Sequence, residues 1–319
     1  MAVIVAIIMV VLLGFAAIAV DVGMLYSERA QLQNGADAGA MFVAQKCASR
    51  LSTNAIDCNA TPSTGLRSVV SGNAVDGVTN VDQPLALDTV RRTVTATVRS
   101  QEPGKAHNGV STFFARVLGI PTVEGSASAT AQWGTPSKGT MVLPIAIAEC
   151  KFKPVDPISG KGPLQLLQLD KDPCANKNIP GGFGWIKDDT DAKCAVTIGV
   201  GQADNSGTWF SGDTGASAPC VPNDLSKMND QTVLFPLFDE ATGTGASGKY
   251  YVKGFAAFHV TAYHLSNGTW GPPGSSSIPN KSIQGYFVRF VSLSQALELG
   301  DSPDYGSTIV RLTIGAPTS

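Results

Sequence analysis

Six cysteines, three histidines and one short acidic run are the residues whose types could do chemistry in this chain of 319 residues. Cys47, Cys58, Cys150, Cys174, Cys194 and Cys220 are even in number. None forms the C-x-x-C pair of zinc ribbons and thioredoxin-like redox sites. They read instead as disulfides of an oxidising compartment. Cys47 and Cys58 stand apart from the other four, so local pairing is expected: Cys47 with Cys58, Cys150 with Cys174, Cys194 with Cys220. Crossing pairs such as Cys150 with Cys194 stay open. His259 and His264 fall on one expected strand at a spacing that sends them to opposite faces, which disfavours a shared metal. His107 stands alone in a polar turn. Lys187-Asp188-Asp189-Thr190-Asp191 has the oxygen ligands of a calcium loop, but it reads better as a solvated acidic turn. No nucleophile elbow, P-loop, H-E-x-x-H or dinucleotide fingerprint occurs. No catalytic residue, cofactor or metal site is therefore expected, and the chain reads as a non-enzyme. Trp185, in Gly181-Gly182-Phe183-Gly184-Trp185, reads as a core aromatic over a tight turn, with an exposed contact surface as the alternative.

The charge balance points the same way. Lys+Arg 23 against Asp+Glu 25 gives a net charge of -2, with no basic run, so no nucleic-acid partner is expected. Only 15% of the residues are charged, which is low for a cytosolic domain. Hydrophobic residues reach 43%, enough for a real core, and Gly 34 with Pro 19 imply many turns.

The elements that must position these residues begin with MAVIVAIIMVVLLGFAAIAV, which carries no charge before Asp21. About 20 apolar residues at roughly 1.5 Å each span the hydrocarbon core of a bilayer. A secretory signal would need a basic start and a small-residue cleavage site. The run instead passes smoothly into DVGMLYSERAQLQNGADAGAMFVAQKCA, where Leu25, Ala36, Ala40 and Val43 keep helical spacing. One helix over residues 2–47 is expected. Ile4, Ile8, Val11, Leu12, Phe15 and Ile18 would form its membrane or filament surface. Gly35 and Gly39, four apart, would permit close helix packing, against a neighbour's helix or beside the chain's own domain.

The run Leu12-Leu13-Gly14-Phe15-Ala16-Ala17-Ile18-Ala19-Val20-Asp21-Val22-Gly23, then Leu25-Tyr26, Glu28-Arg29-Ala30-Gln31-Leu32-Gln33-Asn34 and Ala36-Asp37-Ala38, resembles the N-terminal signature of TadE/TadG-like Flp (tight adherence) pilus-assembly proteins. Pro180 to Trp185 and Tyr251 to Phe258 resemble segments of that family's ectodomains. The resemblance implies a minor pilin or pilus-tip and assembly subunit, held in the inner membrane before assembly. Its partners would be other pilus subunits, met through the N-terminal helix, and a host or surface ligand. It also implies a cell-membrane and extracellular location. A membrane-anchored scaffold or ligand-binding protein that never enters the filament is the alternative. Relatives usually carry basic residues before the apolar run, so Met1 is expected to be a processed or truncated start. Larger relatives often hold an Asp-x-Ser-x-Ser metal site, which this sequence lacks.

The fold class expected is α+β, in three parts. Residues 1–47 are the transmembrane, pilin-like helix, 48–138 a small α+β pilin-like head, and 139–319 a β-rich ectodomain. In the head, Val94, Ala96 and Val98 alternate as a half-buried strand, Val123 to Trp133 alternates again, and Gly109 to Gly119 reads as a short helix ended by glycine before Pro121. Beyond Thr135 to Gly139, the clearest strands are Tyr250 to His264, Ser282 to Ser292 and Thr308 to Thr313, with Gly271 to Ser277 as a loop.

Overall fold

A single α-helix, α1, runs unbroken from Ala2 to Ala48. It has no proline, and its Ala, Leu, Met and Gln residues are good helix formers that carry it across four glycines. The computed structural model describes residues 2–48, 58, 64–82, 84–105, 108–155, 159–169, 174, 181–189, 194–200, 207–213, 220–243, 247–272, 278–292, 297–300 and 302–313. His107, Asp191 and residues 273–277 of the expected loop lie outside these. The chain divides into two compact units, one within Met1–Cys47, Ala55–Gln132 and Arg311–Ser319, the other within Ala48–Asn54 and Trp133–Val310. The architecture is α+β, a long apolar helix followed by sheet.

In the first unit, the C-terminal half of α1 packs on a second helix, α2 (Thr64–Ser71), and on an antiparallel sheet. The sheet is built around Thr93–Ser100. This strand pairs with Thr79–Val81, with Ala86–Asp88 and with the first residues of Ser126–Met141. Val94, Ala96 and Val98 are fully buried while their neighbours are not, which is the alternation expected of a strand with one face on a core. Leu66 and Val70 of α2 are buried with them.

The segment Gly109 to Gly119 corrects the sequence reading. It is not a helix packed on the sheet. Val110–Ser111 and Thr122–Val123 form a hairpin, and the tip between them holds one 3-10 turn, Ala115–Leu118. The helical spacing of Phe113, Phe114, Val117 and Leu118 sustains only that turn because side chains elsewhere take the preceding amides. Glu102 accepts from the Ser111 N–H, and Asp21 from those of Phe113, Phe114 and Ala115. Gly119 does end the turn, at φ +86°, where a side chain would be strained.

In the second unit, the 17-residue strand Lys249–Leu265 is the hub. It pairs antiparallel with Thr232–Thr242, Ser282–Val288, Thr208–Ser211 and Gly268–Trp270. Thr232–Thr242 continues the sheet by a parallel pairing with Ile145–Ala148, which pairs in turn with Phe183–Trp185. Both faces of this sheet are covered. Phe235, Leu237, Phe258, Val260 and Phe287 belong to one apolar cluster, and Phe238, Val252 and Phe255 to another, with Met141, Val196 and Ile198. The expected strand Ser282 to Ser292 is interrupted at Arg289, whose N–H leaves the ladder for the Gly160 carbonyl.

Candidate functional site

The apolar half of α1 is the feature that a soluble domain would not tolerate. From Val3 to Val20 no described side chain is buried. Ile4, Ile8, Val11, Leu12, Phe15 and Ile18 are all at least half exposed. These six share one face, but Val3, Val5, Ile7, Met9, Val10, Leu13 and Val20 are exposed on the others, so the run is apolar on every side and is not an amphipathic stripe laid on a core. The helix is long and apolar enough to cross a membrane. At roughly 1.5 Å per residue it extends about 70 Å, more than twice the hydrocarbon thickness, so only its uncharged first part can lie in lipid.

The polar half has a single buried face. Asp21, Leu32, Ala36, Ala40, Val43, Ala44 and Cys47 are buried, and Leu25 and Glu28 are half-buried on the way. These positions recur every three or four residues, one stripe of a helix. Gly35 and Gly39 lie in that stripe, against the chain's own α2. A Cβ on Gly39 would come within 2.9 Å of Val70 Cγ2 and 3.3 Å of Leu66 Cδ1, and one on Gly35 within 3.2 Å of the Val70 carbonyl oxygen. Close approach of two helices is therefore what the glycines serve, and the second helix belongs to the same unit. Gln31 adds a polar tie by accepting the Val75 N–H at 2.7 Å. Burial pushes the Glu28 carboxyl above the usual range, helped by Asp76.

Asp21 stands where the two halves meet. It is the first charge after the apolar run, yet it is 5% exposed. Its carboxylate accepts the backbone N–H groups of Phe113, at 2.9 Å, of Phe114, at 3.0 Å, and of Ala115. Burial alone would raise its pKa, but the three amides outweigh it and hold the carboxyl below the usual carboxylate range. Thr112 completes the tip by giving its N–H to the Pro121 carbonyl and its hydroxyl to that of Ile120. Neither this clamp nor the tip was singled out from the sequence. The only signals were a lone acid on the packed stripe of a helix and the run Phe113-Phe114-Ala115-Arg116-Val117-Leu118, too apolar for a free loop.

The other sequence candidates are placed as follows. Cys47 bonds to Cys58, Cys150 to Cys174 and Cys194 to Cys220, at separations of 11, 24 and 26 residues. The first bond ties the end of α1 within its own unit. His259 meets Asp230 and Thr232, at 3.1 and 3.2 Å, whereas His264 Nδ1 meets the Ile278 carbonyl oxygen. The two histidines therefore share no partner in these contacts. Asp189 accepts the Thr197 N–H, as a turn acid does. Among the described residues no three His, Cys, Asp or Glu side chains converge as metal ligands would. Trp185 and Phe183 are core residues, 5% and 2% exposed. A Cβ on Gly184 would overlap the Tyr250 ring, so the glycine makes room for that ring.

Comparison with known proteins bears on one part of this architecture. Residues 1–46 match the model of a family described as putative Flp pilus-assembly TadE/G-like. That span is α1 almost to its disulfide. No curated protein and no solved structure matches the chain. The TadE/G-like segment thus comprises the unburied apolar run, the Asp21 carboxylate of the clamp and the glycine stripe. It associates the chain with the assembly of Flp pili and their components, and its apolar run with membrane anchoring.

Proposed function

We propose that the chain is a minor pilin, or a pilus-tip and assembly subunit, of a tight-adherence (Flp) pilus. It acts through packing and not through catalysis. The observation that carries this reading is α1 itself. Its first part is apolar on every side and, among the described residues, no side chain from Val3 to Val20 is buried, while its second part is fixed to a folded head. A helix apolar all round is stable in lipid and equally stable in a bundle of like helices. Such a helix can wait in the inner membrane, crossing it once, and then move into a filament core without changing its fold. The head and the disulfide-bonded β-rich unit would then face outward, toward other subunits and a host or surface ligand.

The test is fractionation of cells that make the pilus. Filaments sheared from the surface should contain the full-length chain, and cells unable to polymerise pili should retain it in the inner membrane. Filaments free of the chain, with all of it left in the membrane of piliated cells, would contradict the reading and leave a permanently anchored scaffold.

A further inference from the structure

We propose that the hairpin tip Phe113–Ile120 is a second membrane contact, seated in the lipid headgroup layer beside the point where α1 leaves the bilayer. The proposal rests on the reading that Val3–Val20 lies in lipid before assembly. Phe113 is 72% exposed, Val117 86%, Leu118 74% and Ile120 50%. Consecutive bulky apolar side chains left bare on a hairpin tip mark a contact surface.

The occupant follows from where the tip is held. Asp21 is the residue after the apolar run, and its carboxylate grips three tip amides. The tip backbone is therefore fixed at the level at which the helix passes from apolar to polar. Its bare surface continues the surface already assigned to lipid. Ala17, one turn before Asp21 on the same face, is the only described residue from Val3 to Val20 that is not exposed.

The composition also fits an interface. Exposed Arg116 sits among the tip's apolar residues, and exposed Tyr26 and Arg29 follow on α1. Aromatic rings with a polar end and long basic side chains are the residues that settle at headgroup level. A segment lying in this layer buries its apolar face by only roughly 5–10 Å, a depth suited to one short turn. The clamp gives the head a second point of attachment, so it would be held at one orientation to the bilayer while it waits for assembly.

The test uses the full-length chain reconstituted in phosphatidylcholine and phosphatidylglycerol vesicles. The vesicles carry a phospholipid with a photoactivatable diazirine close to its glycerol, and adducts are mapped by mass spectrometry. Adducts are expected on Phe15–Val20 and on Phe113–Ile120. None is expected on Val75, which is 91% exposed but tied to Gln31, farther along α1. The combined variant Phe113→Ser, Leu118→Ser, Ile120→Ser changes only exposed side chains. It should lose the tip adducts and keep those on the run. A labelled run with an unlabelled tip would overturn the proposal while membrane anchoring stands. An unlabelled run would overturn anchoring, and the proposal with it.

Discussion

Asp21 and Gly39 are the two residues on which the head's grip on α1 turns. The Asp21 carboxyl is held below its ordinary range, so its contribution to stability is present above the unfolded value. That contribution is lost as pH falls through the depressed folded value. The amides of Phe113, Phe114 and Ala115 should therefore stay protected from hydrogen exchange down to about pH 4, the ordinary aspartate range, and lose protection only below it. In Asp21→Asn they should be less protected above that step and match the wild type below it, with the step abolished. Exchange measured by mass spectrometry on the detergent-solubilised chain checks both. At Gly39 the space is already full, and Gly39→Leu should destabilise the first unit by about 1–3 kcal/mol or more through overpacking. Gly23 has nothing within 4 Å of a built Cβ. Gly23→Ala should instead stabilise the helix, by up to about 1 kcal/mol from propensity alone. Opposite shifts in the thermal midpoint of these two variants, read by circular dichroism, separate packing from propensity.

At the scale of elements, the helix and the strands that alternate were legible in the sequence, and the hairpin was not. An uncharged run passing into Ala-rich spacing leaves the chain no alternative to helix. Val94, Ala96 and Val98 write a strand directly. The Gly109 to Gly119 segment carries helical spacing that is overridden, because the Phe113, Phe114 and Ala115 amides are taken by Asp21 from a distant part of the chain. Local periodicity contains no record of such partners. The same limit applies to Gly35 and Gly39: their spacing announces a close helix contact but does not say whose helix supplies it. Arg289, where one expected strand becomes two, is again decided by a distant carbonyl. The Cys47–Cys58 bond closes a short loop at the end of α1, and in the chain-entropy model such a loop contributes roughly 3 kcal/mol. Replacing both cysteines by Ala should lower the stability of the first unit by about that amount and leave the second unit unchanged. Denaturant unfolding followed by limited proteolysis would resolve the two, and equal loss in both units would show that the bond does not act locally.

At the scale of the whole molecule, one helix serves two environments. In its apolar part, described side chains on all sides are exposed. Beyond Asp21 the same helix is bound to α2 and the sheet by a stripe of small residues. A filament subunit needs both features, because its head must follow the helix when the helix leaves lipid. On the proposed function, the surface formed by Ile4, Ile8, Phe15 and Ile18 meets other pilus subunits after assembly. The most direct measurement places a photo-cross-linking amino acid at Ile8 or Phe15 in piliated cells and maps the products in sheared filaments. Cross-links are expected from both positions to apolar helices of neighbouring subunits, and none from an exposed head position such as Val90. Filament preparations that contain the chain but give no subunit cross-links from Ile8 or Phe15 would contradict it.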